Sequence, residues 1–328
     1  MTKYLLKFLL GVLLFNSLVF MKSLNAQTQT TSMSVVNQEF FNPAYNSYKS
    51  GASISVFNRW QWTSIKNSPR TYALNAYSPL FESALGIGTT VFSESIGLRD
   101  ITTMFASLSH NVQLSSNSFL SLGYGIGFES ICYRKDEMVG NLGDDLSAVN
   151  GLNTLSPAVN IGIMYLSSSL FVGVSSNMVF RKSDNTSALV PGFDFTTGMA
   201  MQLSRNIIFK PALVVKYYQE RVIGSEPLYY KNTIARSIIE LSANFKIGEL
   251  FWIGTSHRFT QSQSILFEIP LFKSLKIGLN YEIGIGSGIN KMDSQSIRLI
   301  WNFKNNKKDF AANQRRKIPN YSPILYYP

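Results

Sequence analysis

The chain has 328 residues and a formal net charge of +11, with 45% hydrophobic but only 15% charged residues. Soluble domains carry about 25% charged residues, so the balance argues against an ordinary soluble domain, and a lone cysteine, Cys132, excludes an internal disulfide framework. The 23 Phe, 16 Tyr and 4 Trp belong to the residue types favoured in strands and at membrane interfaces.

Residues 1–26 read as a signal peptide. Lys3 and Lys7 give a positive start, an apolar run from Phe8 to Phe20 follows, and Leu24-Asn25-Ala26 offers small residues for cleavage. That run is shorter than the roughly 20 residues a spanning helix needs. Removing Lys3, Lys7 and Lys22 lowers the charge from +11 to +8. An exported chain does not meet nucleic acid, so the basic balance suits anionic envelope polymers or an acidic protein. Residues 27–34 are polar. Gln38-Glu39-Phe40-Phe41-Asn42-Pro43-Ala44-Tyr45 is aromatic without alternating, and Asn42-Pro43 signals a turn. Residues 27–49 are therefore expected to form an N-terminal periplasmic segment, mobile over 27–34 and ordered over 38–45, where it packs at one mouth of the structure that follows.

From Ala52 onward the chain alternates with a period of two, which separates faces on a strand and mixes them on a helix. Ala52, Ile54, Val56, Trp60 and Trp62 share one side of the first run, opposite Ser53, Ser55, Arg59 and Gln61. The clearest run is 118–132. There Leu120, Leu122, Tyr124, Ile126 and Phe128 alternate with Ser121, Gly123, Gly125, Gly127 and Glu129. Further runs lie near 70–78, 85–93, 101–114, 158–166, 170–179, 193–203, 206–218, 234–247, 250–259, 263–269, 272–285 and 293–304. They make about fourteen, an even number, as single-chain bacterial barrels have. In the later runs Lys210, Lys216, Arg236, Glu240, Lys246, Lys276, Glu282 and Arg298 form one face. Phe209, Val215, Tyr217, Ile239, Leu241, Phe245, Ile277, Leu279 and Tyr281 form the other. The expectation is an all-β, antiparallel transmembrane barrel of the outer-membrane type over residues 50–304, greasy outside, with cross-strand charge pairs in a wet lumen.

The connections alternate too. One set is short: 115–117, 167–169, the neighbourhood of Arg205, 248–249 and the turn at Pro270. The other holds the long ones: 134–155, 181–192 and 219–233. Outer-membrane barrels have short periplasmic turns and longer extracellular loops, so both termini are expected in the periplasm. Residues 305–328 form a basic tail with Arg315, Arg316 and Lys317, turning Pro- and Tyr-rich around Tyr321. Such a composition suits either a solvated tail or an extended docking segment.

The sequence offers little chemistry. His110 and His257 have no second His or Cys at ligand spacing, so no metal site is expected. Ser256 and His257 are adjacent on a strand and point to opposite faces. The Gly123-x-Gly125-x-Gly127 and Gly284-x-Gly286-x-Gly288 patterns open no helix, so they lack the context for phosphate binding. Glycines in barrel strands more often allow bending or close packing. Asp136, Glu137, Asp144 and Asp145 match no calcium loop and read as a solvated acidic loop. No enzymatic activity and no cofactor are expected.

Several short motifs, in order, resemble the PorP/SprF family of outer-membrane proteins, found with the type IX secretion and gliding machinery of Bacteroidetes. They are Asn42-Pro43-Ala44-Tyr45, Arg59-x-Gln61-Trp62, Ser68-Pro69-Arg70-Thr71, Ser78-Pro79-Leu80, Gly86-x-Gly88 and Ser95-Ile96-Gly97. Lys210-Pro211 and Phe251-Trp252-Ile253-Gly254 are similar to recurrent strand starts of the family. Ser68 stands where glycine is more usual, and the basic tail runs beyond where many members stop. The resemblance implies a non-catalytic component of the secretion machinery. Its implied partners are periplasmic ring or lipoprotein components, a peptidoglycan-binding partner and secreted cargo, in contact with outer-membrane lipid. Asn42, Pro43, Tyr45, Arg315, Arg316, Lys317 and Tyr321 are the candidate partner-binding residues. The alternatives are a surface anchor for secreted adhesins and a passive diffusion channel.

Overall fold

The computed structural model describes residues 34, 37–48, 51–65, 67–80, 84–115, 118–134, 153–183, 186–222, 232–248, 250–259, 261–272, 274–285 and 293–303. The signal-peptide reading of residues 1–26, the tail at 305–328 and most of the 134–155 connection lie outside them.

The strands are β1 (Ser53–Trp60), β2 (Arg70–Pro79), β3 (Leu85–Ile96), β4 (Arg99–Ser115), β5 (Ser118–Tyr133), β6 (Thr154–Ser167), β7 (Leu170–Ser183) and β8 (Thr186–Met199). They continue as β9 (Met201–Ser204), β10 (Ile207–Val222), β11 (Asn232–Ile247), β12 (Phe251–Arg258), β13 (Ser262–Pro270), β14 (Leu275–Gly284) and β15 (Ser294–Asn302). Each pairs antiparallel with its neighbours, and β1 pairs with β15 from Ser53↔Asn302 to Trp60↔Gln295. The sheet therefore closes on itself, and no edge is left to hydrogen-bond within lipid. β8 and β9 form one strand interrupted at Ala200, both lying beside β10, so the wall has fourteen strands. The interruption falls opposite Lys210-Pro211, where the proline nitrogen carries no hydrogen for the ladder. β10 begins at Ile207, three residues before that pair.

The period-two alternation sorts the side chains as expected. On β5, Ser121, Gly123, Gly125 and Glu129 face inward and are buried, whereas Tyr124, Ile126 and Phe128 are exposed on the outer face, Ile126 by 72%. Ile161, Ile163, Val174, Ile265, Leu279 and Trp301 are likewise large, apolar and exposed. Such a continuous apolar exterior in a closed barrel is a lipid-facing surface. Outward aromatics pair across strands, as Phe209 and Phe245 do with ring centroids 4.8 Å apart. Cys132 lies exposed on the same outer face. Trp62 departs from the expected outward set. It lies beyond the end of β1 at φ 52°, is buried, and its backbone N–H donates to Ser294 Oγ.

Ser53 opposite Asn302 puts the start and finish of the wall on one rim. That rim carries the connections 80–84, 116–117, 168–169, 205–206, 248–250 and 271–274; the other carries the short 97–98, 184–185 and 259–261 and all the longer ones, 61–69, 134–153, 223–231 and 285–293. The sorting of long connections onto one rim follows the expected parity, with one correction. The 181–192 stretch is not a long loop: β7 and β8 extend to Ser183 and Thr186 and leave only residues 184–185 between them. Cross-strand pairing there overrides the turn signals of the Pro191-Gly192 region. The wall is also uneven. β4 and β5 have 17 and 16 residues, whereas β1 and β12 have 8 each.

Arginine placed at Ile126, midway along β5, should cost about 2–4 kcal/mol of stability in lipid, whereas at the rim residue Leu155 it should cost about 0–1 kcal/mol. Urea titrations of protein refolded into vesicles measure both. Equal losses would contradict a lipid-facing exterior.

Candidate functional site

The inner wall is rich in charge, and it is not simply wet. Lys210, Lys216, Glu240, Glu282 and Arg298 all point inward and are buried, as are Arg59, Arg258 and Glu268. Isolated charges in such surroundings are costly, so they must be paired. One chain of contacts runs from Arg59 Nη2 to Glu282 Oε2 at 2.8 Å, from Glu282 Oε1 to Arg258 Nη1 at 3.3 Å, and from Arg258 Nη2 to Glu240 Oε2 at 3.1 Å. Ser262 Oγ adds a donor to Glu282 at 2.5 Å. Arg298 pairs with Glu39 and lies 3.9 Å from Glu268. The side chain of Arg236, expected in this set, is outside what the structure describes.

Glu39 belongs to the N-terminal segment, and this is the main correction to the expected arrangement. The segment does not sit at a mouth of the barrel. It lies inside, and Asn37 to Asn46 are all buried. Two 3-10 turns, Gln38–Phe40 and Pro43–Tyr48, hold it compact without strand pairing, with Pro43 placed where a helical turn needs no donor. Its contacts reach strands on every side of the lumen. Ser34 donates to Glu240 through its backbone N–H at 3.0 Å and its Oγ at 3.1 Å. Thr196 Oγ1 donates to Gln38 Oε1 at 3.0 Å, and Asn75 Nδ2 donates to the Glu39 carbonyl at 3.1 Å. Ser121 Oγ donates to the Ala44 carbonyl at 2.5 Å.

Apolar packing reinforces the polar seat. Phe40 and Phe41 pack with Phe57, Ala73 and Phe92, the Phe41–Phe92 centroids lying 5.5 Å apart. Tyr45 joins Met164, Leu166, Phe171 and Val214 nearer the short-turn rim. Glycines supply the remaining room. A Cβ at Gly123 would collide with the Ala44 nitrogen and the Pro43 carbonyl carbon, and one at Gly162 would collide with Asn42 Oδ1. Gly123 in the β5 glycine run is thus explained by close approach of the segment's backbone, whereas a Cβ at Gly125 or Gly127 would meet the neighbouring strand β4.

Of the expected partner-binding residues, Asn42, Pro43 and Tyr45 are buried against the inner wall and present no outer surface. Their contacts are already made within the chain. Asn42 Oδ1 accepts the Ala44 N–H at 2.9 Å, and its Nδ2 lies 3.4 Å from the Ile163 carbonyl. Arg315, Arg316, Lys317 and Tyr321 lie outside the described residues. Ser256 is buried on the inner face, while His257 lies on the outer face and contacts Gln263 at 3.0 Å through Nδ1. Among the described residues no group of His, Cys, Asp and Glu is arranged to hold a metal ion.

The geometry is that of a membrane barrel with a segment of its own chain lodged in the lumen. A family model described as "Type IX secretion system membrane protein PorP/SprF" matches residues 23–303. The chain belongs to that family. No curated protein matches this PorP/SprF chain. Among solved structures it is similar to the CymD monoaromatic hydrocarbon channel, at 10% identity over 87% of this chain and 96% of that one, with a TM-score of 0.48. It is also similar to the toluene transporter TodX of Pseudomonas putida, at 11% identity over 83% and 93%, with a TM-score of 0.45. These are likenesses of fold only, and the PorP/SprF assignment rests on the family match.

In planar bilayers the intact protein should stay closed, and deletion of residues 34–46 should give a stable conductance. Gly123→Val, which leaves no room for Ala44, should give intermittent opening. Equally low conductance in all three would show that the segment does not occlude the lumen.

Proposed function

We propose that the protein is a non-enzymatic outer-membrane component of the type IX secretion machinery that holds partners in place rather than passing solutes. The family match carries the secretion assignment. The observation that favours a scaffold over a diffusion channel is the occupied lumen, where segment 37–46 reaches strands on every side. A passive channel requires an open path, and here the inner-wall carboxylates and guanidiniums bind each other and the segment.

In this reading the short-turn rim faces the periplasm and the long connections face outward, in keeping with the usual asymmetry of such barrels. The chain leaves β15 at the short-turn rim, so the basic tail at 305–328 starts on the periplasmic side. Its Arg315, Arg316 and Lys317 suit an acidic surface on a periplasmic ring or lipoprotein component, and Tyr321 among prolines suits extended docking. Secreted cargo would meet the long connections on the other side. Asn42, Pro43 and Tyr45 take no part in partner binding here; their role is to seat the segment.

Truncation after Phe303 should leave insertion intact, read as an unchanged heat-dependent gel shift. It should also lower recovery of periplasmic partners from crosslinked envelopes at least several-fold. Equal recovery with and without the tail would overturn its docking role.

A further inference from the structure

The lodged segment has a direction. At its later end Tyr45 packs with Leu166 and Phe171, which flank the 168–169 turn, and a Cβ at Gly51 would meet the Phe303 carbonyl at 3.0 Å. This end therefore lies at the short-turn rim. Midway, Glu39 pairs with Arg298 and its carbonyl accepts from Asn75. At the earlier end Ser34 donates twice to Glu240, which also pairs with Arg258, the last residue of β12. The same row of contacts holds Arg59, one residue from the end of β1, and Ser262, the first of β13. Arg258, Arg59 and Ser262 all stand at the rim of the long connections. The wall is low there: β12, β13, β14, β15 and β1 have 8, 9, 10, 9 and 8 residues, against 17 in β4 and 16 in β5, β10 and β11. The Ser34 carbonyl is turned back into the segment, where it accepts from Gln38 Nε2 at 2.9 Å and from the Asn37 N–H at 3.3 Å.

We propose that the chain preceding Ser34, with the amino terminus left by signal cleavage, is presented at the low part of the long-connection rim, beside the 259–261 turn. The side of the membrane follows from the orientation proposed above, with that rim outward. The two ends of the mature chain then lie on opposite sides of the membrane, and the amino end, expected in the periplasm, is at the cell surface. Two routes lead back, and both are obstructed. Through the lumen the chain would have to pass residues 37–46, which Phe40, Phe41 and Tyr45 pack against the wall. Over the rim it would have to descend through lipid, where an unpaired backbone is not tolerated. Cleavage after Ala26 leaves seven residues, 27–33, ahead of Ser34, with a reach of about 25 Å. Gln27 to Ser32 carry only amides and hydroxyls. They add an uncharged, hydrogen-bonding stretch to the surface that secreted cargo would meet.

Cysteine accessibility in intact cells tests this, with a polymer-linked maleimide too large to cross the outer membrane and Cys132→Ser as background. Thr30→Cys probes the amino end. Ser64→Cys and Ser169→Cys probe exposed positions on the long-connection and short-turn rims. Each variant is checked for an intact barrel by its heat-dependent gel shift. Thr30→Cys and Ser64→Cys should both label in intact cells, and Ser169→Cys only after lysis. Labelling of Ser64→Cys with protection of Thr30→Cys until lysis would overturn the proposal. Protection of Thr30→Cys until denaturation would overturn it too, since its residues would then lie inside the barrel. Labelling of Ser169→Cys but not Ser64→Cys would instead overturn the outward orientation. In that case the direction of the segment stands if Thr30→Cys follows Ser64→Cys and falls if it follows Ser169→Cys.

Discussion

The inner wall of this barrel is built around a segment of its own chain. Arg298, Glu240 and Lys216 project from strands into a space enclosed by β-sheet, where a charge without a partner is strongly unfavourable. Part of what they need comes from the wall itself, through the Arg59–Glu282–Arg258–Glu240 contacts. The rest comes from the N-terminal segment, which brings Glu39 to Arg298, Ser34 to Glu240 and the Phe41 ring to Lys216. Removing one member of a buried pair costs about 3–5 kcal/mol when the other is left unpaired. Seat and segment therefore depend on one another. This interdependence makes the part of the lumen around residues 37–46 a packed structural interior.

The two faces of the wall follow opposite rules. Outward positions need only be apolar and of reasonable size, as the exposed isoleucines, phenylalanines and leucines illustrate. Inward positions are matched individually to a neighbour. Gly123 and Gly162 leave room for Ala44 and Asn42, and Ser121 and Asn75 supply donors to backbone carbonyls that have no strand partner. A substitution on the outer face acts through depth in the bilayer, and one on the inner face acts through the fit of the segment.

Much of this was legible in the sequence because it is local. The alternation around Ile126 sorts inside from outside within a few residues, and the lengths of successive connections place the two rims. The depth of the N-terminal segment was not legible, because the contacts that fix it are long-range, from 36 positions between Glu39 and Asn75 to 259 between Glu39 and Arg298. Pro43 and the missing alternation marked the segment as non-strand but said nothing about where it lies. A signal was nonetheless present. Gly88, Gly123 and Gly162 all remove side chains from inward positions, which leaves a hollow that something must fill. The 181–192 region failed for the opposite reason: its local turn signals yield to the long ladder between β7 and β8.

The most direct measurement is disulfide trapping in intact cells of a protein carrying Ala44→Cys and Ser121→Cys, with Cys132→Ser removing the native thiol. If the segment is lodged in the barrel, mass spectrometry of unreduced peptides should find residues 44 and 121 joined, and neither should react with a membrane-impermeant maleimide. Free labelling of residue 44 without crosslinking would contradict a lumen occupied by the chain's own N-terminal segment.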